Sequence, residues 1–370
     1  MLRQADASKG RQALGVALAA GVGVAAAALV ALGNPGNMGL CGACFLRDAA
    51  GALKLFTSGP AYLRPEIAGL VLGAFLAALL GKRFAARSGG FTAGRFVLCL
   101  WMAVAALVFL GCPFRMLQRL GGGDLHAWLG LPGFVLGVAV GRWFEARGYS
   151  AGKTAPAPAA LGLLGPAAML GLLVLFLVGG VLAGPGANDA TPKPPHAPWG
   201  WALSVALICG AALSMTGFCA VSSVRQAFTA HRAMTWAALA LVAGYGVTVL
   251  VMGRAQWAWQ PQPVAHGEAL WNGLALALLG LTGALAGGCP VRQLVMAGEG
   301  NGDAFVGVSG LALGGALAHN FGLVSVAAGA EAAGGPTAAG RAAVIAGLIF
   351  CAAYAFAVQR FLKQTPPPTA

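Results

Sequence analysis

Charge is what this chain has least of. Only 9% of its 370 residues are charged and just 10 are Asp or Glu, against about 25% charged residues in a soluble domain. A water-soluble globular fold is excluded, because there is too little polar surface to cover one. No Walker-type lysine loop is present, which excludes ATP-driven transport by this chain alone. No pair of the five histidines has haem-binding spacing. Gly21-Val-Gly23 follows no strand and is not a dinucleotide loop. No cofactor and no metal site is therefore expected.

The net charge of +13 does not make the chain a nucleic-acid binder. Its Lys and Arg are spread between apolar runs instead of forming one patch, and no nucleic-acid-binding motif lies among them. Apolar residues make up 58% of the chain and fall in runs near the ~20 residues that span a bilayer. Gly and Ala are abundant, which suits close helix packing in lipid. The chain reads as an all-α polytopic membrane protein with about ten transmembrane helices, over 11–33, 65–82, 91–111, 124–142, 159–183, 199–217, 233–253, 268–288, 304–327 and 340–362. Residues 184–198 are a Pro-rich linker, and 364–370 a polar tail without structure. The first run is too long for a signal peptide and is kept as a helix.

Two elements occur twice. Gly39-Leu40-Cys41 followed by Arg47 recurs as Gly217-Phe218-Cys219 followed by Arg225. Gly111-Cys112-Pro113-Phe114-Arg115 recurs as Gly288-Cys289-Pro290-Val291-Arg292, at a shift of 177, and Gly133 and Gly137 map onto Gly310 and Gly314 at the same shift. The chain is thus a tandem duplication, 1–183 and 199–363, of five helices each. An odd number of helices turns the second copy upside down, which is the inverted-repeat plan of membrane transporters. With the N-terminus inside, 15 Lys and Arg fall on cytoplasmic segments and 8 on external ones, so the bias favours both termini in the cytoplasm.

Cys99, Cys209 and Cys351 lie inside apolar runs and read as small core residues. Cys41, Cys44, Cys112, Cys219 and Cys289 lie at the ends of runs, beside Gly and Pro. The segment 36–56 is breaker-led, apolar and too short to span, which fits a re-entrant half-helix. Such backbone is tolerated at membrane depth only where it lines a cavity or is buried in protein. Its symmetry mate runs from Ser214 to Arg225. Pro113 and Pro290 suit the first turn of a new helix, which puts Cys112 and Cys289 at helix N-termini. These ends present N–H groups and a positive dipole, an anion site. Arg115 and Arg292, and with them Arg47 and Arg225, supply fixed positive charge nearby, unless they snorkel to the interface. Cys41-x-x-Cys44 also matches a redox spacing, but repeat two keeps Cys219 and has Ser222 in place of Cys44, which favours a lone thiol. Asp124 and Asp303 are expected to N-cap the helices that follow them. Glu299 with Asp303 is alternatively a proton or cation coupling site. His319-Asn320 lies in the ninth helix, as a hydrogen-bonded core pair or a coupling group.

Several stretches together resemble the YeeE/YedE sulfur-transport family. They are Asn34-Pro-Gly-Asn-Met-Gly-Leu-Cys41-Gly-Ala-Cys44-Phe-Leu-Arg47-Asp48, Arg64-Pro65-Glu66-Ile67, Leu110-Gly-Cys112-Pro-Phe-Arg115-Met, Gly288-Cys289-Pro-Val-Arg292-Gln293-Leu, Ala297-Gly-Glu299-Gly-Asn-Gly-Asp303 and Ala318-His319-Asn320-Phe-Gly322. Among its branches they are similar to the YedE-type membrane proteins linked to selenium metabolism. The resemblance spans roughly 30–360. It implies an inner-membrane permease, not an enzyme, of hourglass-like shape. Cysteines at the constriction would hand thiosulfate or a selenium compound across through S–H···S hydrogen bonds. By motif that role falls on Cys41, Cys112 and Cys289, and by symmetry on Cys219. The partners so implied are a small sulfur or selenium anion, the lipid bilayer, and a soluble sulfur- or selenium-handling protein at the cytoplasmic face. The competing expectations are a membrane thiol oxidoreductase using Cys41 and Cys44 and a soft-metal carrier with thiolate ligands. Gln226 stands in repeat two where repeat one has Asp48, so an Arg–Asp pair of the first kind is not expected there.

Overall fold

The computed structural model describes residues 2–364 apart from 90, 153, 179–181, 183–193, 260, 330, 331 and 333; of residues 2–9 only the helical backbone is described. The first half contains α1 (Leu2–Ala31), α2 (Gly42–Ala52), α3 (Pro65–Leu80), α4 (Thr92–Phe109), α5 (Pro113–Gly121), α6 (Leu125–Ala146) and α7 (Ala159–Leu177). The second contains α8 (Trp199–Thr216), α9 (Ala220–Ala227), α10 (Ala233–Val251), α11 (Ala269–Leu285), α12 (Pro290–Gly298), α13 (Gly302–Asn320) and α14 (Ala338–Gln364). Each of the ten expected spans contains a helix. Among the described residues, eight stretches are long and apolar enough to cross a membrane. The other two are α3, which at 16 residues is short, and α13, which is long enough but less apolar. Large apolar side chains such as Leu80, Leu136, Ile208 and Ile349 cover the outside of the bundle, while exposed Trp residues mark its ends. Trp128, Trp199, Trp201, Trp257 and Trp259 stand at one end, and Trp143 and Trp236 at the other, as in an aromatic belt. The chain is an all-α, multi-pass membrane protein.

Each half reaches into the other. The most extensive helix pairs are α1 with α10, α3 with α8, α4 with α13, and α6 with α11, and every one joins the two halves. In each pair a glycine lies against the partner's main chain. Gly137 meets Ala277 and Gly133 meets Gly273; at the same shift of 177, Gly314 meets Leu100 and Gly310 meets Phe96. On the other side of the bundle Gly210 meets Leu70 and Gly73 meets Leu207, mirrored by Gly23 on Leu241 and Gly244 on Ala20. Numbers rise together in the α6–α11 and α4–α13 contacts, so those paired helices are parallel. The chain leaving α1 meets the chain entering α8, because the Ala197 N–H donates to Asn34 Oδ1 at 2.8 Å. Helix α1 and its mate α8 are therefore antiparallel, and the repeats are inverted. A side chain at these glycines would push apart backbones that dispersion holds together in lipid.

The symmetry stops at the periphery. Helix α7 packs on α3, α12 and α13, whereas its mate α14 packs mainly on α11 and α4. One expected boundary changes. Helix α13 ends at Asn320 instead of running to 327, since the chain turns at Gly322 (φ +63) into β3 (Ser325–Val326), which pairs with β4 (Gly335–Pro336). A second small pair joins β1 (Arg87–Gly89) to β2 (Thr154–Pro156). The linker 184–198 lies outside the described residues up to 193, but its end is docked: His196 stacks on Tyr62 at 4.5 Å and Ala197 is buried. The tail beyond 364 also lies outside the described residues.

Candidate functional site

Four short helices meet inside the bundle, and a cysteine caps each. Cys41, Cys112, Cys219 and Cys289 are the N-cap residues of α2, α5, α9 and α12. The backbone repeats with the sequence. Cys41 and Cys219 have φ/ψ of −148/116° and −151/126°, and Cys112 and Cys289 have −82/169° and −69/168°. Pro113 and Pro290 occupy the first turn, as expected, because a helix start needs no N–H from that residue. All four cysteines are at most 3% exposed.

The thiols form two pairs. The Cys41 side chain lies close to those of Cys112 and Cys44, and the Cys219 side chain close to that of Cys289. The Cys289 N–H also donates to Cys219 Sγ at 3.4 Å. The two pairs adjoin. A Cβ on Gly42, the residue after Cys41, would lie 2.9 Å from the Val291 nitrogen in the first turn of α12. Phe114 meets Phe218 edge-on at 5.9 Å. Cys44 belongs to the first pair, since its N–H donates to Cys41 Sγ at 3.4 Å. All eight cysteines are free and buried, with Cys99, Cys209 and Cys351 in the core as read.

The arginines divide in two. Arg115 and Arg292 stand beside the thiols, each with its stem folded over the glycine of its own Gly-Cys-Pro element. A Cβ would lie 3.0 Å from Arg115 Cδ at Gly111 and 2.9 Å from Arg292 Cγ at Gly288. Neither snorkels outward. Arg115 is fully buried and donates to main-chain carbonyls of Asn37 (3.0 Å), Val264 (3.1 Å), Pro263 (2.9 Å) and Leu110. Arg292 instead forms a two-pronged pair with Glu299, at 3.2 and 3.1 Å. The position of Glu299 in repeat one, 177 residues back, is Gly122, so Arg115 has carbonyls where Arg292 has a carboxylate. Arg47 and Arg225 are engaged further along their half-helices. Arg47 pairs with Asp48 at 2.7 Å and lies 2.9 Å from His319 Nε2. Arg225 takes its acid from another helix, pairing with Glu145 of α6 at 2.6 Å. The missing Asp at Gln226 is thus replaced across space.

The acidic expectations change in part. Asp124 caps α6, accepting from His126 and Ala127 N–H, and also pairs with Arg119 at 2.6 Å, both side chains fully buried. Asp303 does not cap α13. That cap is Asn301, which accepts from the Ala304 N–H at 3.0 Å and is the true mate of Asp124 at the 177 shift. Asp303 accepts instead from Ser88 and Thr92 hydroxyls, both at 2.7 Å. Glu299 is held by Arg292 and by the Ser214 hydroxyl at 3.0 Å. His319 and Asn320 sit at the end of α13, bound to the Ser58 and Leu55 carbonyls, with Phe56 stacked on His319. They anchor the chain leaving α2.

Residues outside the candidate set hold this frame. Asp48 bridges Arg47 and the fully buried Arg64 (2.9 Å). Asn34 joins Glu66 at 2.8 Å. Gln118 on α5 clamps both main-chain groups of Leu40, just ahead of Cys41. Arg64 and Glu66 stood inside a recognisable motif, but Glu145 and Gln118 carried no signal in the chain. No protein-family model matches the chain, and no curated protein matches it in sequence.

Proposed function

We propose that the chain is an inner-membrane permease for a small sulfur- or selenium-containing anion, as the resemblance to the YeeE/YedE family implies, with both termini in the cytoplasm. The observation that carries this reading is the meeting of four cysteine-capped half-helices as two adjoining thiol pairs, one from each inverted repeat. Such a centre is built for a soft anion. Helix N-termini supply a positive dipole, the cation on each side (Arg115 and Arg292) draws negative charge inward, and thiols suit a chalcogen atom. A thiol donates only weakly, so each step is shallow, and shallow multi-site binding is what conduction requires. The anion would pass from the Cys41–Cys112 pair to the Cys289–Cys219 pair. Three of eight Lys and Arg assigned outside from sequence (Arg64, Arg115 and Arg119) are buried, which strengthens the positive-inside bias among surface residues.

Uptake into sealed vesicles tests the reading, comparing labelled thiosulfate, selenite and selenide with wild type and Cys289→Ala. Saturable uptake of one of these, lost in the variant, is expected. Absence of uptake of all three by correctly inserted protein refutes it. The second reading, a membrane thiol oxidoreductase, draws on the closeness of Cys44 to the Cys41–Cys112 pair. It fails when Cys44→Ser retains full activity.

A further inference from the structure

Beside the second thiol pair a cavity of about 380 Å³ opens on the face that carries the end of α14. It is lined by Arg83, Arg87, Ser214, Thr216, Arg292 and Glu299, with Met215 and Gly217 completing the wall. Three guanidinium groups share it with one carboxylate. That carboxylate is divided among them: Glu299 is bidentate on Arg292, accepts from Ser214, and lies 3.8 Å from Arg87. Arg83 uses one nitrogen on the Ser214 carbonyl, at 3.2 Å, and a guanidinium carries five N–H donors. The cavity therefore has more cationic donors than its single acid can engage.

We propose that this cavity is an anion vestibule, in which Arg83, Arg87 and Arg292 bind a small oxyanion dianion that displaces the Glu299 carboxylate. Its floor is continuous with the proposed pathway: Gly217 is followed by Phe218 and Cys219, and the Arg292 stem lies against Gly288, ahead of Cys289. Glu299 acts as a resident surrogate for the anion. It keeps the guanidinium groups ordered when the vestibule is empty and competes with any anion that enters. Arginine suits this role because its planar fork meets an oxyanion with two parallel hydrogen bonds. The mate of Arg292, Arg115, is engaged by four carbonyls, and the inference concerns the Arg292 side alone. Its place on a transport route rests on the permease reading; the binding itself does not.

Equilibrium binding of labelled sulfate to the purified full chain in nanodiscs tests the site, with thiosulfate as competitor. Wild type is expected to bind saturably. Arg83→Gln and Arg87→Gln should each weaken binding about tenfold, the worth of a charged hydrogen bond to an anion. Glu299→Gln, which removes the competitor, should tighten it by a similar factor. Arg87→Lys, which keeps the charge and loses the fork, should fall between Arg87→Gln and wild type. Unchanged binding in both Arg→Gln variants, weaker binding in Glu299→Gln, or no saturable binding by folded wild type overturns the proposal. The two readings separate cleanly. Sulfate binding that follows the expected order, without uptake in vesicles, keeps the site and removes the permease. Uptake lost in Cys289→Ala, with wild-type binding in the Arg83 and Arg87 variants, does the reverse.

Discussion

The two ends of the thiol centre are related by sequence and differ in what lies over them. At the Arg292 end, the connection 81–91 between α3 and α4 stays to one side. It ties to α12 through Ala85 and Arg87 N–H groups that donate to the Glu299 and Gly300 carbonyls, and the cavity stays open. At the Arg115 end the longer connection between α10 and α11 reaches across the mouth through Gln256, Gln262, Pro263 and Val264. Pro263 and Val264 accept from Arg115, Gln262 Oε1 accepts from Asn37, and the Gln256 N–H donates to the Gly122 carbonyl. Val264 is held at φ +47 to do this, a left-handed conformation that a β-branched residue resists. Strain of this kind, of order 1–3 kcal/mol, persists only where the surroundings over-determine it. One inverted repeat thus makes an open mouth and the other a latched one. Equal motifs do not make equal sites when the loops above them differ.

The largest expected effect breaks the latch. Arg115→Gln leaves buried carbonyls without donors, each worth about 1–3 kcal/mol, so thermal unfolding in detergent should show a loss of about 3–5 kcal/mol. Arg292→Gln breaks a partly exposed pair and should cost about 1 kcal/mol or less. Equal losses at the two positions would erase the distinction drawn between the mouths. Next comes the scaffold they share. Gly137→Leu and Gly314→Leu insert the same bulk at mirrored parallel contacts, and each should destabilise by about 1–3 kcal/mol. A loss confined to one of them would show that the inverted halves do not support the centre equally. A shorter loop sharpens the comparison: deleting 257–262 should unroof Arg115 and speed labelling of Cys112 by a small maleimide, while Cys289 labelling stays as in wild type. Unaltered Cys112 labelling in a folded deletion would mean that something other than this segment closes the mouth. The smallest effect is Val264→Gly, which relieves the left-handed strain at a cost in unfolded-chain entropy and should gain about 1 kcal/mol or less. A clear fall in melting temperature would argue against strain at this position.

Helices were legible because lipid demands long apolar runs and tolerates few exceptions. Each of the ten expected spans contains a helix, and α13 ends seven residues before the expected 327. The cysteine caps were legible too, since Gly-Cys-Pro both stops one helix and starts the next. The cap of α13 is Asn301 and not Asp303, two equally good capping residues two positions apart, although the shift of 177 that relates the repeats already maps Asp124 onto Asn301. The partner of Arg225 was hidden for another reason: Glu145 lies in the other half of the chain, and no local spacing links them.

From the chain alone come the membrane class, the duplication, the inversion and the four cysteine positions, because each depends on short-range rules of hydropathy, parity and helix breaking. Folding alone decides which thiols pair and where Arg225 finds its acid. It decides as well that Gly122 leaves Arg115 to carbonyls while Glu299 meets Arg292, and that one mouth is roofed while the other stays open. These are contacts between segments far apart in sequence, and their energies depend on burial and geometry that no run of residues encodes by itself.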